Sequence, residues 1–269
     1  MELYEAALDA CRASRGETDL ETITLRGKLA AARFVVHDRK RASREARRTR
    51  DDCRGYVDLA TPRAIRALGE VAHAYEDSMG GLPHAVQLYE ELLASSRTAH
   101  GEAHPRTLNL WNRLVDAHLR SGNPKRAVTR GHAWLSATAG TLGSDNPATL
   151  CASARLADAL RANGDWGKAI SQYQRTFHTR RRVLGEDDPQ TWESCERLAS
   201  ARAEVGNTEE VPPLYEEVLA ARTRVLGEEH PDTLATMERT ALAHVAARGT
   251  DRAIELLSKA AELRYRVGR

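Results

Sequence analysis

The sequence predicts an all-α fold, a right-handed superhelical solenoid of stacked antiparallel helix pairs. Three observations carry that reading. Pro105, Pro147, Pro189 and Pro231 stand 42 residues apart. Nearly the same joint surrounds three of them: LGSDNPATLC (142–151), LGEDDPQTWE (184–193) and LGEEHPDTLA (226–235). Between joints the apolar residues recur at helical spacing, without strand-like alternation. A fixed period of this length marks a repeat array, in which each repeat buries its apolar face only against its neighbours.

Counting backwards, Pro62 lies 43 residues before Pro105, and Leu20 lies 42 before Pro62. The extra residue falls in the turn EDSMGGLP. Repeats therefore begin near residues 19, 61, 104, 146, 188 and 230. The residue before each proline position is Asp19, Thr61, His104, Asn146, Asp188 or His230, mostly types that cap a helix N-terminus. Proline follows where its missing N–H costs nothing. Gly101, Gly143, Gly185 and Gly227 stand behind, suited to ending the previous helix. The joint recurs because every repeat must stop one helix and start the next.

Inside a repeat, Leu29, Val71, Leu114, Leu156 and Leu198 fall nine residues after the proline position, with Thr240 as the exception. Alanine follows three residues later in every repeat, from Ala32 to Ala243. The turn within the repeat carries Gly80–Gly81, Gly122, Gly164, Gly206 or Gly249. The second helix begins with a small residue, Ala42, Ala85, Ala127, Ala169, Val211 or Ala253. A bulky one follows four later at Tyr89, Tyr173, Tyr215 and Leu257. Small residues let paired helices approach and large ones fill between them. In GNTEEVPPLY (206–215), Pro212 falls inside this second helix. It has no N–H to donate and restricts Val211 away from helical angles, so the helix is expected to start late with Pro212 in its first turn.

The whole chain, 1–269, reads as one solenoid: a partial repeat at 1–16, a degenerate basic repeat at 17–60, and five clearer repeats at 61–269. Tyr4 lies 16 residues before Leu20, as Tyr89 lies 16 before Pro105, so residues 2–15 match a second helix without its first. At the other end the chain stops at RVGR, where the next joint would begin. Solenoids need polar caps, so the chain is expected to be a segment of a larger protein or to meet other chains at its ends, homo-oligomerisation included.

Composition narrows the function classes. The chain is 41% apolar and 29% charged with a net charge of +2, which gives no global pull toward nucleic acid or membrane. No apolar run is long enough to span a bilayer, and MELYEAALDA lacks the basic start of a secretory signal. Cys11, Cys53, Cys151 and Cys195 form no C-x-x-C pair and read as free thiols of a reducing, cytoplasmic protein.

The stretches HPDTLATMERTALAHVAARGTDRAIELLSKAAELRYRV and DPQTWESCERLASARAEVGN resemble tetratricopeptide repeats of the long kind, about 42 residues, found in kinesin light chains. The resemblance covers nearly the whole chain, strongly from 104 to 269 and weakly from 17 to 60. Similar arrays follow nucleotide-binding switch domains in many actinobacterial signalling proteins. The family implies a non-enzymatic scaffold that binds a protein or peptide segment along the concave face of the first helices, and the arginines of this chain on that face point to an acidic segment. Two alternatives stay open: a sensor segment of a larger regulatory protein, and an enzyme or enzyme partner built on a solenoid.

On that face, eight residues after each proline position, stand Lys28, Glu70, Arg113, Arg155, Arg197 and Arg239. The family places adjacent asparagines here to hold a peptide backbone. This chain keeps only Asn112, with Asn109 nearby. The candidate peptide-binding residues are Asn109, Asn112, Arg113, Asp116, Arg155, Asp158, Glu196, Arg197, Glu238 and Arg239. Arg113 has Asp116 at i+3, Arg155 has Asp158 at i+3, and Arg197 has Glu193 at i−4, spacings that allow intrahelical pairs. Arg239 has no intrahelical acid, although Glu196 on the preceding repeat could reach it. If unpaired, Arg239 is the best recipient for a partner's carboxylate.

Catalytic chemistry finds little support. HGEAH (100–104) displaces the acid that a zinc protease needs beside its first histidine, and Gly101 breaks the helix. It reads as a capping His104 and an exposed His100, with no metal. No phosphate loop, nucleophile elbow or dinucleotide fingerprint occurs, and no cofactor is expected. Trp111, Trp134, Trp166 and Trp192 read as packing residues. The basic stretch RKRASREARRTRDDCR (39–54) suits a solvated helix with Ala42 and Ala46 inward. It lacks interleaved aromatics for base stacking, which disfavours nucleic acid as a partner.

Overall fold

A computed structural model describes residues 2–36, 38–78 and 80–267. The final Gly268 and Arg269 of the expected next joint lie outside the described residues. Every regular element among the described residues is helical, and the chain divides into two compact units, Met1–Leu142 and Gly143–Arg269.

The N-terminal unit holds α1 (Glu2–Arg15), α2 (Leu20–Val35), α3 (Arg39–Tyr56), α4 (Pro62–Glu76), α5 (Leu82–His100), α6 (Pro105–Arg120) and α7 (Pro124–Leu142). Chain neighbours pack as antiparallel pairs, α2 on α3, α4 on α5 and α6 on α7, and α2 also packs on α4. The C-terminal unit holds α8 (Pro147–Ala162), α9 (Trp166–Leu184), α10 (Pro189–Glu204), a 3-10 turn (Thr208–Glu210), α11 (Val211–Leu226), α12 (Pro231–Ala246) and α13 (Thr250–Val267). There each helix packs on the next from α8 to α13.

The joints work as their residues dictate. All six cap side chains accept a backbone N–H from the first turn, with Asp19, His104, Asn146, Asp188 and His230 serving the second helical residue and Thr61 the third. The joint glycines Gly101, Gly143, Gly185 and Gly227 lie at φ from 83° to 91°, a region closed to most side chains. Small residues open the second helices as expected: Ala42, Ala85, Ala127, Ala169, Val211 and Ala253 are buried. Tyr89, Tyr173 and Tyr215 fill the space beside them. Leu257 departs from the pattern. It is 43% exposed, and Leu256 takes the buried place.

The repeat expected to be degenerate, 17–60, forms a complete helix pair held by buried ions. Arg26, 1% exposed, binds Glu17 at 2.5 Å and Asp52. Arg33, 3% exposed, binds Glu5 at 2.7 Å and Glu45. Buried guanidiniums are tolerated only when paired in this way.

Two turns refine the sequence reading. α11 starts at Val211 with Pro212 in its first turn, three residues after the position equivalent to Trp166 in α9. The late start matches expectation, but Val211 itself is helical at φ −84°, ψ −46°. The missing N–H groups of Pro212 and Pro213 therefore set the boundary, and the angles of Val211 do not. In the last repeat the left-handed turn position belongs to Arg248 at φ 63°, where Gly122, Gly164 and Gly206 stand in earlier repeats. Gly249, taken from sequence as the turn glycine, is its neighbour.

Candidate functional site

The first helices of the N-terminal unit enclose a cleft between α4 and α6 of about 410 Å³. Its floor is apolar, made by buried Ile65, Leu110 and Tyr89. Gly69 contributes open wall: a Cβ built there would meet nothing within 4 Å. Arg66, Arg106, Asn109 and Arg113 line the rest with Glu70 and His73. Glu70 is taken by Lys28 at 2.9 Å. Arg66 and Arg106 make no side-chain hydrogen bond or ion pair among the described residues, so two guanidiniums line the cleft without a direct partner.

Arg113 corrects the sequence reading. It does not pair with Asp116 but turns to the preceding repeat, 3.7 Å from Glu76 and 3.4 Å from Nδ1 of His73. Arg120 donates to the same Glu76 carboxylate at 3.1 Å and to its carbonyl at 3.0 Å. Glu76 is 3% exposed. A buried carboxylate gains more from a cation than the less buried Asp116 does, and the two arginines go where the need is greater. Asp116 is left without a partner among the described residues. Asn112 does not line the cleft, and its amide oxygen is buried without a hydrogen bond.

In the C-terminal unit the ladder is paired internally. Arg155 lies 3.6 Å from Asp158. Arg197 binds Glu193 at 2.6 Å and Asp158 of the preceding repeat. Burial lowers the pKa of Arg197, but those two carboxylates outweigh it and hold it above its usual value. Tyr173 donates its hydroxyl to Asp158 at 2.7 Å; burial and then this carboxylate push the phenol up. Arg239 is not free: Glu196 reaches it at 3.2 Å while also receiving Arg222 at 2.8 Å. Glu238 is held by Arg264 of α13 at 2.9 Å. A smaller pocket of about 250 Å³ opens where α11 starts late, lined by Thr208, Val211, Tyr215 and Leu242 with Arg239 beside them.

The other candidates resolve into packing and capping. Trp111 donates to Glu102 at 3.2 Å and Trp192 to the carbonyl of Glu186 at 2.8 Å, tying each joint to its helix. Trp134 is buried and Trp166 half-buried. His104 spends Nδ1 on the N–H of Arg106 at 3.2 Å and stacks on His100, which is half-buried and not exposed as expected. Among the described residues no group of three or more His, Cys, Asp or Glu is placed to hold a metal, and no helix is long and apolar enough to cross a membrane. Sequence reasoning missed Arg66, Arg106 and Gly69. The usable signal was Gly69 itself, which stands seven residues after Pro62 where Asn112 stands after Pro105.

Sequence profiles described as tetratricopeptide repeat match residues 65–106, 153–190 and 192–266. Among solved structures, nearly identical TPR-like repeats assigned to a kinesin light chain of Podosopora anserina share 28% identity. They cover 78% of this chain and 99% of that one at a TM-score of 0.66. BtubC (BKLC) of P. vanneervenii shares the fold at 16% identity, covering 97% and 92% at a TM-score of 0.66. The apo form of RapI does so at 9% identity, covering 97% and 74% at a TM-score of 0.63. No curated protein matches the chain.

Proposed function

Because this chain belongs to the tetratricopeptide-repeat family, we propose that it is a non-enzymatic scaffold that receives a partner's extended segment in the α4–α6 cleft. The observation that carries the reading is the pair of unpartnered guanidiniums, Arg66 and Arg106, above an apolar floor. Such a site rewards an apolar side chain beside a carboxylate. Its volume of about 410 Å³ suits one or two side chains of a segment lying across the helices. Asn109 and Arg113 belong to this site. The ladder of the C-terminal unit has its charges committed within the chain and serves to hold repeats together. The four free cysteines fit the reducing cytoplasm we assign to the protein.

Display selection of peptides against the chain, followed by anisotropy titration of the selected peptide, tests this. Gly69→Leu puts a branched side chain into the cleft from a position where a Cβ meets nothing within 4 Å, so it should weaken binding at least about tenfold while leaving the melting temperature equal or higher. Arg66→Ala should weaken binding more than Arg239→Ala. Full affinity in Gly69→Leu would place the binding surface elsewhere.

A further inference from the structure

The basic helix α3 sorts its cations into two groups. One group is paired: Arg48 with Glu17 at 3.3 Å, Arg50 with Asp51 at 3.1 Å, Arg54 with Glu91 at 2.6 Å, and Arg41 with Glu45 at 3.8 Å. The other group, Arg39, Lys40, Arg44 and Arg47, is exposed and makes no ion pair or hydrogen bond among the described residues. Lys40, Arg44 and Arg47 follow i, i+4, i+7 spacing and so form one stripe along the helix. Ser43, Arg48 and Asp51 lie beside this stripe on the same open surface of the helix.

The opposite face of α3 is fixed by burial of Ala42, Ala46, Thr49 and Cys53, so the stripe cannot turn inward. Like charges at this spacing oppose the helix unless a counter-charge answers them, and the acid beside them, Asp51, is taken by Arg50 at 3.1 Å. The local potential is felt by a neighbour. His84 of α5 has its pKa lowered by burial first and then by Arg47 and Arg50.

We infer that the outer stripe of α3 docks on the phosphate backbone of a double-stranded nucleic acid. Guanidinium groups match phosphate oxygens in paired hydrogen bonds. The stripe contains no apolar or aromatic side chain. A protein partner would need such an anchor, and a single strand would need a stacking platform. A duplex backbone needs neither, because its affinity comes from charge. Lys40 to Arg47 spans about 10 Å along the helix axis, long enough for the extended side chains to reach successive phosphates of a backbone. This surface is separate from the α4–α6 cleft, and its fate does not depend on that reading.

Anisotropy titration of the full chain with a labelled duplex of mixed sequence, over about 50 to 200 mM salt, tests the inference. Affinity should fall about a hundredfold over that range if four phosphates are contacted. Arg44→Gln/Arg47→Gln should weaken binding about tenfold and flatten the logarithmic salt slope by about 1.8. Lys125→Gln/Arg126→Gln removes the same charge from the same unit, at exposed residues outside both surfaces, and should leave both unchanged. Melting curves should be alike for both variants, since none of the four side chains makes an ion pair or hydrogen bond among the described residues. Absence of duplex binding would overturn the inference, as would equal losses in the two variants. Tighter binding of the single strand, or of polyglutamate, would likewise overturn it.

Discussion

Arg248 sits at φ 63° where three earlier repeats use glycine, so its side chain is carried in a backbone region that costs an L-residue on the order of 1 kcal/mol. Arg248→Gly should therefore raise stability by about 1 kcal/mol in chemical denaturation, and a fall would show that the side chain is otherwise engaged. The 42-residue spacing pointed to 248, but the glycine next door drew the sequence reading to 249. Register was the better guide than residue type. The capping histidines carry a second residue-scale consequence. His104 accepts through Nδ1 and must be unprotonated to do so. Its pKa is lowered by desolvation, His100 and Arg106. A lowered folded value means that its contribution is present above the ordinary histidine value of 6.5 and is lost as pH falls through the folded value. His104→Asn keeps a cap of the kind Asn146 makes. The variant should match the parent near pH 8 and melt above it near pH 5; parallel melting curves would remove His104 from the pH response.

Helix boundaries were legible to within a few residues because proline, the capping residue and the joint glycine are local chemistry. Even the late start of α11 could be read from two adjacent prolines. What could not be read was which helix a charge would face. Arg113 has Asp116 one turn away in sequence, yet it turns to Glu76 across the repeat boundary. The burial that decides the contest exists only once α4 and α6 are packed. The same holds for two glycines seven residues after their repeat's start. A Cβ at Gly27 of α2 would come within 2.5 Å of Val71, a fully buried and stiff neighbour on α4. At Gly69 of α4 it would meet open space. Gly27→Ala should thus destabilise by about 1–3 kcal/mol through overpacking. Gly69→Ala should stabilise by about 0.5–1 kcal/mol through helix propensity. Equal effects at the two sites would contradict the packing described.

For the molecule as a whole, Cys53 and Cys195 offer one reporter in each compact unit. Burial, with nearby Glu91 and Asp52, pushes the Cys53 thiol up to about 12; burial, with Glu217 and Glu196, does the same for Cys195. Neither should react with a thiol reagent until its own unit opens, whereas the half-buried Cys11 and Cys151 are nearer the surface. Labelling followed by peptide mapping across a denaturant series should show Cys53 and Cys195 protected to the onset of unfolding; fast labelling of either would contradict its burial. The charge ladder of the C-terminal unit has a consequence at the level of the gene. Arg197 answers Asp158, and Arg239 answers Glu196 one repeat later. Excising residues 189–230 would join Asp188 to Pro231, a seam already of the capping kind, and bring Arg239 opposite Asp158. Arg180, which now donates to Ser194 at 2.7 Å, would find the hydroxyl of Thr236 in its place. Along the first helices complementarity survives the loss of a whole repeat, whereas on the second helices Arg181 would exchange Glu217, now at 3.0 Å, for Lys259. An array wired in this way can lengthen or shorten by recombination with its inner ladder intact, and the charges to be repaired afterwards lie on its second helices.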